Sequence, residues 1–134
     1  MNIAIASGAL AAIVDHARAD APNEACGILF GSAETIDRAD RARNIAQQPD
    51  RAFEIDSAAL LAAHRAARAA GRQVVGWYHS HPNGAPGPST TDAARAVEDG
   101  KVWLIAAADV VTAWRVVPGG PVHGRFAALA LIAA

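Results

Sequence analysis

The stretch Gln73–Asp92, QVVGWYHSHPNGAPGPSTTD, constrains the fold more than any other segment of the chain. Its first half is rich in β-branched and aromatic residues and reads as a strand. The proline-glycine run from Pro82 to Pro88 must end that strand, because proline donates nothing to a sheet ladder. Ser89 then stands where a helix begins, ahead of TTDAARAVEDG, which Gly100 closes. The run can fold back and bring the first turn of that helix beside the strand end. Side chains two apart on a strand point the same way, so His79 and His81 project together.

Around this segment strands and helices mix. NIAIA near the N-terminus reads as a short strand, and Ser7 is placed to cap a helix to about Ala19, ended by Pro22, with Leu10, Ile13, Val14 and Ala17 on one face. EACGILFG reads as a buried strand, and a further strand is expected before Ile45. RAFEI alternates like a strand, and Asp56 or Ser57 caps AALLAAHRAARAAG, with Gly71 as its stop. KVWLIAAA, TAWRVV and RFAALALIAA complete the strand candidates, with turns at Asp109 and PGGP. The expectation is an α/β (α+β) fold, a mixed sheet with helices on its faces. With 134 residues, no repeat and no linker, residues 1–134 are expected to form one domain.

A formal charge of −1 and a single lysine, Lys101, argue against a nucleic-acid surface. Arg38, Arg41 and Arg43 interleave with Asp37 and Asp40 and read as a solvated mixed face. The lone Cys26 excludes an internal disulfide and reads as a small buried hydrophobe. No signal-peptide pattern is visible, and apolar runs broken by Asp15 and Asp109 fall short of the ~20 residues a membrane helix needs. A soluble cytoplasmic protein, without membrane or nucleic-acid partners, is expected.

Two imidazoles on one side of a strand have the geometry to share a cation. Catalytic zinc takes three protein ligands and keeps a position for water, and Asp92 is the natural third ligand beside His79 and His81. A capping box is the alternative for Ser89 and Asp92, with each residue's side chain accepting from the other's backbone N–H. That box needs no metal, but it leaves the paired histidines unexplained, since buried imidazoles need partners for their polar atoms. His16, His64 and His123 have no such company and read as surface or helix-face residues. Trp77 and Tyr78 read as sheet or core residues.

His79-Ser80-His81-Pro82 followed by Ser89-Thr90-Thr91-Asp92, with seven residues between His81 and Ser89, resembles the JAMM (MPN+) zinc metallopeptidase signature. Glu24 in PNEACGILFG matches the upstream glutamate segment of compact prokaryotic members, and NIAQQPDRAFEID and VVGWYHSHP resemble further blocks. The resemblance implies a cytidine-deaminase-like JAMM/MPN domain in which His79, His81 and Asp92 bind Zn2+. It also implies that Glu24 is the general base and that Ser89 hydrogen-bonds the tetrahedral oxyanion.

The activity so implied is hydrolysis of a peptide or isopeptide bond after the C-terminal Gly-Gly of a ubiquitin-like or sulfur-carrier protein. The short loop after His81 favours the compact bacterial kind, which acts on sulfur carriers. A Gly-Gly tail is expected to dock as an added strand in a narrow cleft. The alternative is a non-catalytic MPN-type module that binds a ubiquitin-like partner; such modules usually lack a zinc ligand, and none is missing here. A small-molecule zinc deaminase ranks last, because its P-C-x-x-C ligand pair is absent.

Overall fold

The computed structural model describes residues 1–134. In chain order the elements are β1 (Asn2–Ile5), α1 (Ser7–Asp20), β2 (Cys26–Ser32), β3 (Thr35–Ala42), α2 (Ser57–Ala69), β4 (Gln73–Ser80), α3 (Thr90–Arg95), β5 (Val102–Ala107), β6 (Val110–Gly120) and β7 (Gly124–Ala133). The strands lie in the order β1-β3-β2-β4-β5-β6-β7, and parallel pairing of β1 with β7 closes the sheet. Pairing is mixed and mostly antiparallel, with parallel neighbours at β1–β3 and β4–β5. The α/β expectation, a mixed sheet with packed helices, holds.

β4 and β5 are buried almost throughout, as strands covered on both sides are. α1 buries Ala9, Ile13 and His16 against a core that includes Ile3, Ile5, Leu29, Tyr78 and Leu104. α2 covers Ile28, Phe30 and Val74 through Ala67 and Leu60. α3 adds Ala93 to a third cluster with Trp103, Val116 and Phe126.

One irregularity sets the direction of the site. The pairing of β2 with β4 runs Phe30↔Val74 and then Leu29↔Gly76, so Val75 is the extra residue of a bulge. Val74 packs under α2 while Val75 joins the α1 core, and beyond the bulge Tyr78 faces the α1 core. Tyr78 lies over Gly27, where any Cβ would collide with its ring and with the Asp40 carbonyl.

Four local expectations are corrected. RAFEI is no strand: only Ile55 makes a bridge, to Asn44. Its backbone is held by the Asn44 side chain, which donates to the carbonyls of Glu24 and Ala52 and accepts from the N–H groups of Ala46 and Glu54. α3 stops at Arg95 instead of running to Gly100, because Ala96 turns extended (φ −68, ψ 137) while staying buried. Ser7 is the first helical residue and makes no cap bond; Ala6 occupies the cap position. Of the two expectations for His16, surface or helix face, the first is excluded: it is 3% exposed on the inner face of α1. No helix is long and apolar enough to cross a membrane.

Candidate metal centre

β4 delivers His79 and, one residue past its end, His81; α3 delivers Asp92 from its first turn. His79 Nε2, His81 Nε2 and Asp92 Oδ2 form a triangle with all three sides 3.1 Å. All three residues are buried. The capping box is present as well: Ser89 Oγ accepts from Asp92 N–H at 3.0 Å and Asp92 Oδ2 accepts from Ser89 N–H at 2.9 Å. The two readings of Asp92 therefore coexist in one oxygen.

The remaining ring atoms fix what the triangle contains. His81 Nδ1 sits 2.8 Å from the Ala85 carbonyl, which can only accept, so Nδ1 carries the proton and the neutral ring presents a lone pair at Nε2. Phe53 stacks on the His79 ring, centroids 4.3 Å apart at 19°, and Trp103 meets its edge. At least two bare lone pairs thus face one another in a buried place. Burial lowers the His79 pKa against the pull of Asp92. For His81, burial is outweighed by the bonds to Asp92 and the Ala85 carbonyl, and the pKa rises. Asp92 is held well below the usual carboxylate range, because its bonds to both rings outweigh its own burial.

Such a donor set fits a divalent cation. Zinc–ligand bonds of ~2.0–2.1 Å place tetrahedral neighbours roughly 3.3 Å apart, close to the observed spacing. Two imidazoles and a carboxylate are zinc donors, and the Ala85 carbonyl on the far side of His81 is the kind of partner that orients a ligating ring.

Glu24 completes the constellation. It is 6% exposed, its carboxylate lies within 4.8 Å of the two ring nitrogens, and its Oε1 is buried without a partner. With Oε1 making no hydrogen bond, that proximity suits contact through one water. Burial, opposed by His81 and reinforced by Asp92, pushes the carboxyl up to about 7. Its backbone is tied on both sides: Glu24 N–H donates to Pro49, and Ala25 N–H donates to Ser80 Oγ at 2.8 Å. Ser80, between the two histidines, thereby fixes Glu24 to their strand.

All five residues singled out in the sequence, Glu24, His79, His81, Ser89 and Asp92, meet here. Phe53 and Asn44 lie outside the residues singled out from the sequence, since no spacing there marks a loop held by a side chain. Cys26 is fully buried, and burial pushes its thiol up to about 12, so it is inert. His64 and His123 are exposed, and neither is part of the site.

Of the cavities that touch the triangle, two lie beside Asp92 and Glu24. One, of about 380 Å³, is lined by Phe53, Ile55, Leu60, Trp77 and Trp103 and reaches Thr91 and Asp92. Trp77, expected as a sheet residue, therefore also forms a cavity wall. The other, of about 270 Å³, is polar and holds Glu24, Asp50, Arg51, His81, Asn83 and Ser89.

Residues 6–117 match the model of the prokaryotic homologs of the JAB domain. Among curated proteins, a desampylase of Haloferax volcanii is 39% identical over 114 residues, covering 81% of this chain and 82% of that protein. A CysO-cysteine peptidase of Mycobacterium tuberculosis is 39% identical over 89 residues, covering 65% of this chain and 60% of the relative. A Desulfitobacterium hafniense protein known in solution superposes with a TM-score of 0.84 at 25% identity, covering 98% of this chain and 92% of that one. The crystal structure of a JAB1/MPN domain protein from Archaeoglobus fulgidus, 20% identical, shares the fold with a TM-score of 0.59 over 98% of this chain and 97% of that one. By the extent of these matches the chain belongs to the family of prokaryotic JAB-domain homologues.

Proposed function

We infer that residues 1–134 act as one unit, a zinc-dependent hydrolase of the peptide or isopeptide bond that follows the C-terminal Gly-Gly of a ubiquitin-like or sulfur-carrier protein. The observation that carries this reading is the 3.1 Å triangle of His79, His81 and Asp92 with the partnerless Glu24 Oε1 beside it. The names of the relatives, desampylase and CysO-cysteine peptidase, support the substrate class.

Zinc bound at the triangle would lower the pKa of water to ~7 from 15.7 and so make a nucleophile available at neutral pH. Glu24 takes the proton of the attacking water on its carboxylate and passes it to the leaving nitrogen. Its burial beside the triangle, with one carboxylate oxygen left without a partner, suits both halves of that transfer. Ser89 Oγ is an acceptor within the capping box, so its own O–H is free to donate to the growing oxyanion. Phe53 and Trp103 hold the His79 ring in place by packing alone.

The test is to incubate the zinc-loaded protein with ubiquitin-fold carriers extended by one residue after Gly-Gly and to weigh the products by mass spectrometry. Release of the added residue is expected. A protein that binds one zinc per chain and the carrier tail, yet releases nothing from any carrier, would instead be a binding module.

A further inference from the structure

We propose that the polar cavity beside Glu24 is a subsite for a leaving amino acid with a free α-carboxylate, held by Arg51, so that the chain releases a terminal residue in preference to opening a lysine isopeptide. This rests on the hydrolase reading above and specifies its leaving group.

The argument starts from the proton. Glu24 must come within hydrogen-bond reach of the leaving nitrogen, so the leaving group lies in the cavity that Glu24 lines. That is the polar cavity; Glu24 does not line the apolar one. The acyl side of the substrate is left with the space walled by Phe53, Trp77 and Trp103, and Thr91 lines both cavities where they adjoin.

A lysine isopeptide would bring a four-carbon stem into the Glu24 cavity, where only one lining residue is hydrophobic. A terminal amino acid brings instead a carboxylate, one carbon from the leaving nitrogen. Arg51 is the one permanent cation among the lining residues. Its guanidinium makes no hydrogen bond within the protein and has only a loose approach to Asp50 at 3.9 Å, both side chains being largely exposed. An exposed pair of that kind is worth little, so the planar fork of donors remains available to a carboxylate. The Arg51 N–H is itself tied to the Gln48 carbonyl, in the loop that Asn44 holds.

The decisive experiment compares three substrates built on one ubiquitin-fold carrier ending in Gly-Gly. The first is extended by alanine, the second by alaninamide, and the third is joined to the Nε of a lysine in a blocked peptide. The wild type should favour alanine over alaninamide about tenfold, in KM and not in kcat, with the isopeptide weaker still. Arg51→Ala should weaken alanine alone and erase the difference, and Arg51→Lys should restore part of it. Raising the salt should shrink the preference, since the contact is exposed. Calorimetry on Glu24→Gln should show the same ranking in binding, without turnover. Equal handling of alanine and alaninamide by the wild type, or an equal loss on both in Arg51→Ala, overturns the subsite while leaving the hydrolase standing. Cleavage of none of the three removes the hydrolase reading and the subsite with it.

Discussion

Two buried histidine clusters lie on opposite sides of β4 and solve the same physical problem differently. On the α1 side, His16 Nε2 meets Asp20 at 3.0 Å and His16 Nδ1 meets the Tyr78 hydroxyl at 2.6 Å. The carboxylate requires an N–H from Nε2, so Nδ1 accepts from the tyrosine and every polar atom is satisfied by protons. On the other side at least two lone pairs, on His81 and Asp92, face one another across the triangle with His79, and Glu24 Oε1 has no partner. Buried polar atoms left in that state are costly unless something arrives to bind them. The first cluster is closed on itself; the second leaves donor atoms without partners.

Substitution separates the two most sharply at the cation. His79→Ala and Asp92→Ala should each reduce zinc from near one per chain to near none, by elemental analysis, and abolish hydrolysis, whereas His16→Ala should keep its zinc. A His79→Ala protein still holding stoichiometric zinc would erase the distinction. Next in size, Glu24→Gln should cost about 10²–10⁴ in kcat while zinc stays bound. Ser89→Ala should cost roughly 10²–10³ in kcat, along with ~1 kcal/mol of stability from the broken cap, measured by denaturant unfolding.

The α1 cluster answers to stability measurements instead. Tyr78→Phe leaves His16 Nδ1 without a donor and should cost about 1–3 kcal/mol with kcat unchanged. The smallest effect is in acid. Burial, against the pull of Asp20, holds the His16 pKa below its ordinary value. At this group the unfolded chain therefore binds more protons below pH ~6.5, and the group's contribution to stability falls as the pH drops through that value. His79 is shifted the same way and Glu24 and His81 the opposite way, so the check is a difference: between pH 7 and 5 His16→Gln should lose less stability, or gain more, than the wild type in chelator-treated protein.

The difference between the clusters also marks how far the sequence could be read. His79 and His81 were legible because strand periodicity is local, and Asp92 because the S-x-x-D offset is a helix-start signal whichever role it plays. Glu24 reaches them only through the pairing of β2 with β4 and the Ser80 bond to Ala25. No spacing encodes that, and only the family resemblance brought it forward. Of the two readings of His16 the helix-face one holds, and its burial follows from its helical spacing to Ala9 and Ile13, the other buried residues of α1. RAFEI alternated like a strand, yet Asn44 took over the backbone bonds a neighbouring strand would have made. TTDAARAVEDG reads as a helix to Gly100, but Ala96 turns extended and Val97 is 64% exposed, so the helix ends where the chain turns toward β5.

Asp92 Oδ2 remains anchored by the Ser89 amide whether or not anything else approaches it. Stripping the ion with a chelator should therefore leave a nest that keeps its shape, and reloading should be quick, without refolding. A designer who wished to exchange the ion for a softer one by installing cysteine at this position would unfasten the start of α3 in the same stroke.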